Sequence, residues 1–283
     1  MEIILGKSSG FCFGVKNAVD GAKNELKNNS PIYCLGEIIH NEEVIKDLEC
    51  KGLVIIDNID NAKDTVIIRS HGVPKYVYDN AKEKNIKLLD YTCPFVLKIH
   101  ETALKYSNNN YFIFLLGIKT HPETIGSISF CSDNSYLIEN FNDISPAIDK
   151  FNSSSLNNLL VISQTTFSVS LFEDIVNEIR SKVNPNVNLE IKNTICNTTS
   201  IRQKETEEIA KKVDLMIIIG GKHSSNTKKL YEIAKINCKN SILIQTKDDL
   251  NNEYLKHFKR IGIMAGASTP QNIIESVVDF CKI

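Results

Sequence analysis

Short apolar runs alternate along the chain with longer stretches in which apolar positions recur at helical spacing. PIYCLGEII, LVIID, TVIIRSHG and IKLLDYTC form a first set of runs, interleaved with VKNAVDGAKNELK, EEVIKDLECKG and PKYVYDNAKEKN. YFIFLLGIK, SYLIE, NLLVISQTT and VNLEIKNTIC form a second set, with LKIHETALKYS, ETIGSISF and SLFEDIVNEIRSK as its helical stretches. LMIIIGGK, SILIQ and KRIGIMAGAS form a third, with IRQKETEEIAKKV, TKKLYEIAKIN and PQNIIESVVDFCK. Strands of this length alternating with helices predict βαβ units and parallel sheets. The Asn/Ser-rich stretch 152–158 reads as a loop, and no linker or low-complexity tail is evident.

The three sets are one repeat. Each begins at a cysteine, Cys12, Cys93 or Cys196, and a glycine inside the next strand, Gly36, Gly117 or Gly220, lies 24 residues further on. Four residues beyond that glycine stand His40, His121 and Ser224. A shared period of this kind marks a repeated structural unit. The third set lacks a closing strand, and MEIILGKSSGFC at the start supplies one, so the repeat is cyclic. The expected organisation is three small doubly wound α/β lobes, 13–93, 94–196 and 197–283, with the strand in 1–12 closing the last. Ligands of such sheets sit beyond the carboxyl ends of the strands. Every cysteine of the repeat and every polar cluster falls there, and a pseudo-threefold arrangement would aim them at one central cavity.

Composition narrows the functions. Among 283 residues, 33 Lys and Arg face 34 Asp and Glu, for a formal charge of −1. That balance argues against nucleic-acid or membrane-surface binding by bulk electrostatics. The longest apolar run, Tyr111 to Leu116, is too short to span a bilayer, and the first residues hold too few apolar positions for a signal h-region. A cytoplasmic protein is expected. Eight cysteines in a reducing compartment are then packing, metal-binding or redox residues and not a disulfide framework. No CxxC pair occurs, which excludes zinc-finger, thioredoxin-like and ferredoxin-type sites.

Three thiolates brought together by the repeat could hold an iron–sulfur cluster with one open iron, a zinc ion, or nothing at all. An open iron can bind and activate a substrate as a Lewis acid. Cys34, Cys50, Cys131, Cys238 and Cys281 do not recur across the units and read as packing. His40, His71, Ser224, Ser225, Asn226 and Ser268 precede helix starts, where exposed N–H groups favour anions. Singly each is an ordinary cap; together, with His121, they suggest a phosphate or diphosphate pocket. Glu123, in THPET, is the one carboxylate of these clusters and a candidate proton donor, which the Thr165 and Thr166 hydroxyls could orient. His100 and His257 fall outside the repeat and read as ordinary; His223 adjoins the expected pocket.

GFCFGV, HNEEV, SHGVP, DYTCP, THPE, SQTT, NTICNTT, SSNT and AGAST occur in the order found in the 4-hydroxy-3-methylbut-2-enyl diphosphate reductase (LytB/IspH) family, which the chain resembles from end to end. The resemblance implies three lobes around a [4Fe–4S] cluster held by Cys12, Cys93 and Cys196 with one iron open. It implies reductive dehydration of an allylic alcohol diphosphate to isopentenyl and dimethylallyl diphosphates. His40, His71, His121, Ser224, Ser225, Asn226 and Ser268 would line the diphosphate pocket, with Glu123 as proton donor and Thr165 beside the substrate hydroxyl. No nucleotide fingerprint is present, so electrons would come from a protein such as ferredoxin or flavodoxin. His223 and the Lys119-Thr120 pair depart from the family pattern and put only substrate affinity in question. The rival is another three-cysteine [4Fe–4S] dehydratase resembling quinolinate synthase, which needs a dicarboxylate pocket; of four arginines only Arg69 adjoins a polar cluster. A cluster-bearing redox sensor would leave the serines, histidines and Glu123 without a role.

Overall fold

A computed structural model describes residues 2–282. In chain order the elements are β1 (Glu2–Leu5), α1 (Phe13–Asn28), β2 (Ile32–Leu35), α2 (Glu42–Glu49), β3 (Leu53–Ile56), β4 (Thr65–Ile68), α3 (Lys75–Glu83) and β5 (Lys87–Asp90). There follow α4 (Pro94–Asn108), β6 (Phe112–Leu116), α5 (Pro122–Ile128), β7 (Ser135–Ile138), α6 (Ile144–Asn152), β8 (Asn158–Ser163), α7 (Val169–Lys182) and β9 (Asn188–Ile191). The last are α8 (Asn197–Ala210), β10 (Leu215–Ile219), α9 (Ser225–Asn237), β11 (Ser241–Ile244), α10 (Asn252–Leu255), β12 (Arg260–Ala265) and α11 (Gln271–Cys281). Met1 and Ile283, the outer residues of the segments expected to form the third lobe, lie outside the described residues.

Three four-stranded sheets form, in the orders β3-β2-β4-β5, β7-β6-β8-β9 and β11-β10-β12-β1. Every pairing is parallel. The order is the same three times, and β1 lies against β12 with Glu2 opposite Arg260. Sequence explains who sits in the middle. FIFLL in β6 and LMIII in β10 are buried at all five positions, as strands covered on both faces must be. KLLD in β5, with exposed Lys87 and Asp90, and EIIL in β1, with exposed Glu2, take the sheet edges. In each sheet the winding reverses between the first and third strands, the place where sheets of this kind bind ligands.

Glycines end two of the central strands for a packing reason. A Cβ at Gly117 would lie 2.8 Å from Thr124 Oγ1, and one at Gly220 would lie 2.6 Å from Thr227 Oγ1. The first turn of the following helix thus rests directly on the strand end in both sheets, and Gly220 also takes a φ of +154°.

Two helices go beyond what the apolar pattern predicts. α6 contains Pro146 in its first turn, amid a turn-like run of Asn and Asp, yet buries Ile144, Ala147, Ile148 and Phe151 on one face. Proline is tolerated there because the first-turn N–H has no helical partner. α10 is a single turn capped by Asn251. The 152–158 loop is shorter than expected, since Asn152 ends α6 and Asn158 begins β8.

The chain folds as two units. One comprises Met1–Lys23, Ile39–Lys51 and Asn197–Ile283 and holds the β11-β10-β12-β1 sheet with α2. The other comprises Asn24–Ile38 and Gly52–Cys196 and holds the remaining two sheets. In the latter, Phe112, Phe114 and Phe151 meet edge to face beneath α6 and α7, with Ile175 and Ile179 completing the layer. Phe114 is fully buried. Phe114→Ala should cost about 3–5 kcal/mol, cavity and lost transfer combined, read as a lowered denaturant midpoint with an unchanged slope.

Candidate functional site

Three helices begin one residue after a cysteine: α1 after Cys12, α4 after Cys93 and α8 after Cys196. The three cysteines are held by the same bond. Cys12 donates its peptide N–H to the Ala267 carbonyl (3.2 Å), Cys93 to Ser70 (3.0 Å) and Cys196 to Thr165 (2.9 Å). Each acceptor lies two residues past a third strand, β12, β4 or β8. All three side chains are half-buried and no disulfide forms. The other cysteines differ. Cys34, Cys238 and Cys281 are buried, and burial pushes Cys34 up to about 12, against the pull of Arg69, and Cys281 up to about 11. Half-buried Cys131 is pushed up to about 12 by the same cause. Cys50 does not pack as expected: it caps the carboxyl end of α2 and is exposed.

In the two-sheet unit, Glu123 is 2% exposed in the first turn of α5. Its Oε1 accepts the Thr165 N–H at 2.6 Å and its Oε2 accepts the Thr165 hydroxyl at 2.7 Å. Burial pushes this carboxyl up to about 7, and the two Thr165 bonds only partly offset it. The acid therefore changes charge near neutrality. His121 caps α5, its Nδ1 accepting the Glu123 N–H at 3.2 Å, which leaves the ring proton on Nε2. The His71 ring stands edge-on to His121 at 5.5 Å.

Sequence reasoning missed the residue that locks these loops. Gln164, fully buried at the end of β8, accepts from Ile118 N–H (3.1 Å) and Thr124 hydroxyl (3.2 Å) and donates to Thr166 (2.8 Å). Its place beside Thr165 at a strand carboxyl end was the available signal. Thr166 thus supports the loop. His100, outside the repeat, is buried, stacked on Phe130 at 4.3 Å, and packed against Gly72, which follows His71. Burial holds it down to about 4, outweighing Asp90, so it stays neutral. Lys119 turns away to pair with Asp143 at 2.6 Å.

In the other unit Ser224 caps α9, accepting from Thr227 N–H at 3.3 Å. Ser225 and Asn226 occupy its first turn and are buried. Neither atom of the Asn226 carboxamide has a hydrogen-bond partner among the described residues. Buried amides are rarely left in that condition. Ser268 donates to the His40 carbonyl at 3.0 Å, and the same carbonyl lies 2.5 Å from where a Gly221 Cβ would be, so only glycine admits the His40 backbone there.

Parallel α/β sheets whose reversal points carry a buried acid, histidines and capping hydroxyls define an enzyme that acts on a small anionic molecule. The LytB protein family model matches residues 3–282, and the chain belongs to the LytB family. It is 41% identical over 290 residues to the 4-hydroxy-3-methylbut-2-enyl diphosphate reductase of Caldanaerobacter subterraneus subsp. tengcongensis, covering all of this chain and 97% of the relative. Its fold superimposes on that of the E-1-hydroxy-2-methyl-but-2-enyl-4-diphosphate reductase of Plasmodium falciparum with a TM-score of 0.89, at 31% identity, over 98% of this chain and 87% of that one. A second structure, of an (E)-4-hydroxy-3-methyl-but-2-enyl diphosphate reductase described as the terminal enzyme of the non-mevalonate pathway, gives 0.71 at 38% identity, over 100% and 99%. The family implies an iron–sulfur cluster. Taken one by one, Cys12, Cys93 and Cys196 suit such a group: each is a half-buried thiol at the amino end of a helix whose N–H groups can donate to sulfur. Among the described residues no helix is long and apolar enough to cross a membrane.

Glu123 also makes a pH prediction. Its carboxyl binds a proton more tightly folded, near 7, than at the ordinary 4.5. Its stabilising contribution is therefore complete below pH 4.5 and is lost as pH rises through 7, on the order of 3 kcal/mol in all. Denaturant titrations of Glu123→Gln should show a flatter stability profile between pH 4.5 and 7 than the parent protein. Parallel profiles would contradict the shift.

Proposed function

We propose that this protein carries out the reductive dehydration of (E)-4-hydroxy-3-methylbut-2-enyl diphosphate to isopentenyl and dimethylallyl diphosphates, the last step of the non-mevalonate isoprenoid pathway. The reading assigns Cys12, Cys93 and Cys196 to a [4Fe–4S] cluster with an open iron, carried by three lobes, 13–93, 94–196 and 197–283 with 1–12. When bound, that cluster supplies two electrons and a Lewis acid for the substrate hydroxyl. Ferredoxin or flavodoxin supplies the electrons in turn, in the cytoplasm.

The observation that carries the reading is the Glu123–Thr165 pair. Loss of a hydroxyl as water needs a proton at the oxygen, and a carboxyl near 7 can both hold and release one. Protonated Glu123 donates to the Thr165 oxygen, and the Thr165 hydroxyl then turns its own hydrogen outward to the departing oxygen. Two electrons and two protons balance the reaction: one proton leaves in water and one ends on carbon. Asn226, Ser224, Ser225 and Ser268, with the α9 amino end and His40, His71 and His121, bind the diphosphate, so remote binding energy positions the allylic carbon.

Anaerobic turnover with a reduced low-potential donor tests the function, with dicarboxylates as competing substrates. Turnover of a dicarboxylate and none of the allylic diphosphate would reject it. Glu123→Gln should lower the rate about 10²–10⁴-fold while iron content and substrate affinity stay near the parent values; a full-rate variant would remove the proton-donor role. Asn226→Ala should weaken diphosphate binding about 10–150-fold, the worth of one hydrogen bond to a charged group, measured by calorimetry.

A further inference from the structure

The loop that carries Cys12 has no regular structure of its own. Between the end of β1 and the start of α1, residues Gly6 to Cys12 make one local turn bond, Ser9 N–H to the Gly6 carbonyl at 3.2 Å, and several bonds to distant chain. Gly6 donates to Ile263, the Ser9 hydroxyl accepts from Ala265 N–H at 3.1 Å, and Cys12 donates to Ala267. These contacts fix one side of the loop.

The other side is gripped by α8. Arg202 is 3% exposed, and its guanidinium spends its fork on two main-chain carbonyls: Nε donates to Ser8 at 2.6 Å and Nη2 to Gly10. One turn along the same face, Glu205 accepts from the Lys7 N–H at 2.7 Å and the Ser8 N–H at 2.9 Å, and from the Ser8 hydroxyl. A donor-only cation meets the loop's carbonyls, and an acceptor-only anion meets its N–H groups. Only arginine presents two N–H bonds in a fixed plane. Gly10, at φ +97°, supplies the turn that brings its carbonyl into the fork.

We propose that Arg202 and Glu205 are positioning residues that pre-shape the Cys12 loop for cluster binding, so that the helix following Cys196 in the chain sets the geometry of Cys12. This rests on the reading of Cys12 as a cluster ligand. The arrangement makes the Cys12 loop answer to the helix that follows Cys196.

The proposal is tested first on the parent apoprotein by hydrogen exchange. The Lys7 and Ser8 amides should exchange at least about 100-fold more slowly than in unstructured peptide, although neither lies in a strand or helix. Exchange at peptide rates would overturn the clamp. Arg202→Lys and Glu205→Gln should then each raise the alkylation rate of Cys12 in apoprotein about tenfold relative to Cys93 in the same sample. The holoprotein variants should lose iron and visible cluster absorption faster to a chelator. An unchanged Cys12-to-Cys93 ratio in a folded variant would also overturn the clamp. A variant that fails to fold exposes Cys34, Cys238 and Cys281 as well, and the parent exchange result then decides. Cys12→Ser separates the two readings: iron retained in that variant removes Cys12 as a ligand, while amide protection and thiol rates still judge Arg202 and Glu205.

Discussion

A single type of main-chain hydrogen bond organises this protein's chemistry. In each sheet the segment leaving the edge strand returns its cysteine N–H to a carbonyl two residues past the neighbouring third strand. That bond ends the parallel ladder, turns the chain into a helix and leaves the sulfur half-buried at the sheet's carboxyl end. Thr165 shows how much depends on it. Its carbonyl holds Cys196 while its N–H and hydroxyl hold Glu123. One residue thus fixes a thiol and an acid together, and a shift of either is felt by both.

The same economy runs through the polar loops. Gln164 reaches from β8 to the α5 amino end, so the loop bearing His121 and Glu123 cannot move apart from the one bearing Thr165. Buried polar networks of this kind are costly when broken and rigid when complete. Asn226 is the contrast: buried like Gln164, yet with its amide unspent. Gln164 shapes the loops through its saturated amide, and the Asn226 amide takes no part in such a network among the described residues.

Much of this was legible in the sequence. A 24-residue interval repeated three times, with apolar runs at matched places, specifies three parallel sheets because strand and helix periods are local properties. The cyclic closure was readable because the third set lacked a strand and the chain's start had one to spare. α6 was hidden because Pro146 and its Asn-rich approach read as a turn, and only tertiary burial of Ile148 and Phe151 reveals the helix. Cys50 was misread because an apolar helix pattern does not say which turn faces solvent. Gln164, Arg202 and the burial of His100 lay out of reach for a different reason. The partners that fix them lie from about 30 to nearly 200 residues away, set by strand order, and no local pattern carries that information.

The pairing of β1 with β12 also sets an order of events in synthesis. Glu2 has no strand to lie beside until Arg260 has been made, and Cys12 has no carbonyl to bond until Ala267 follows. Of the three repeat thiols, Cys12 is made first and is the last to meet its carbonyl partner. During translation β1 stays unpaired until β12 is made, while the sheets of β2–β5 and β6–β9 can close on contacts already present.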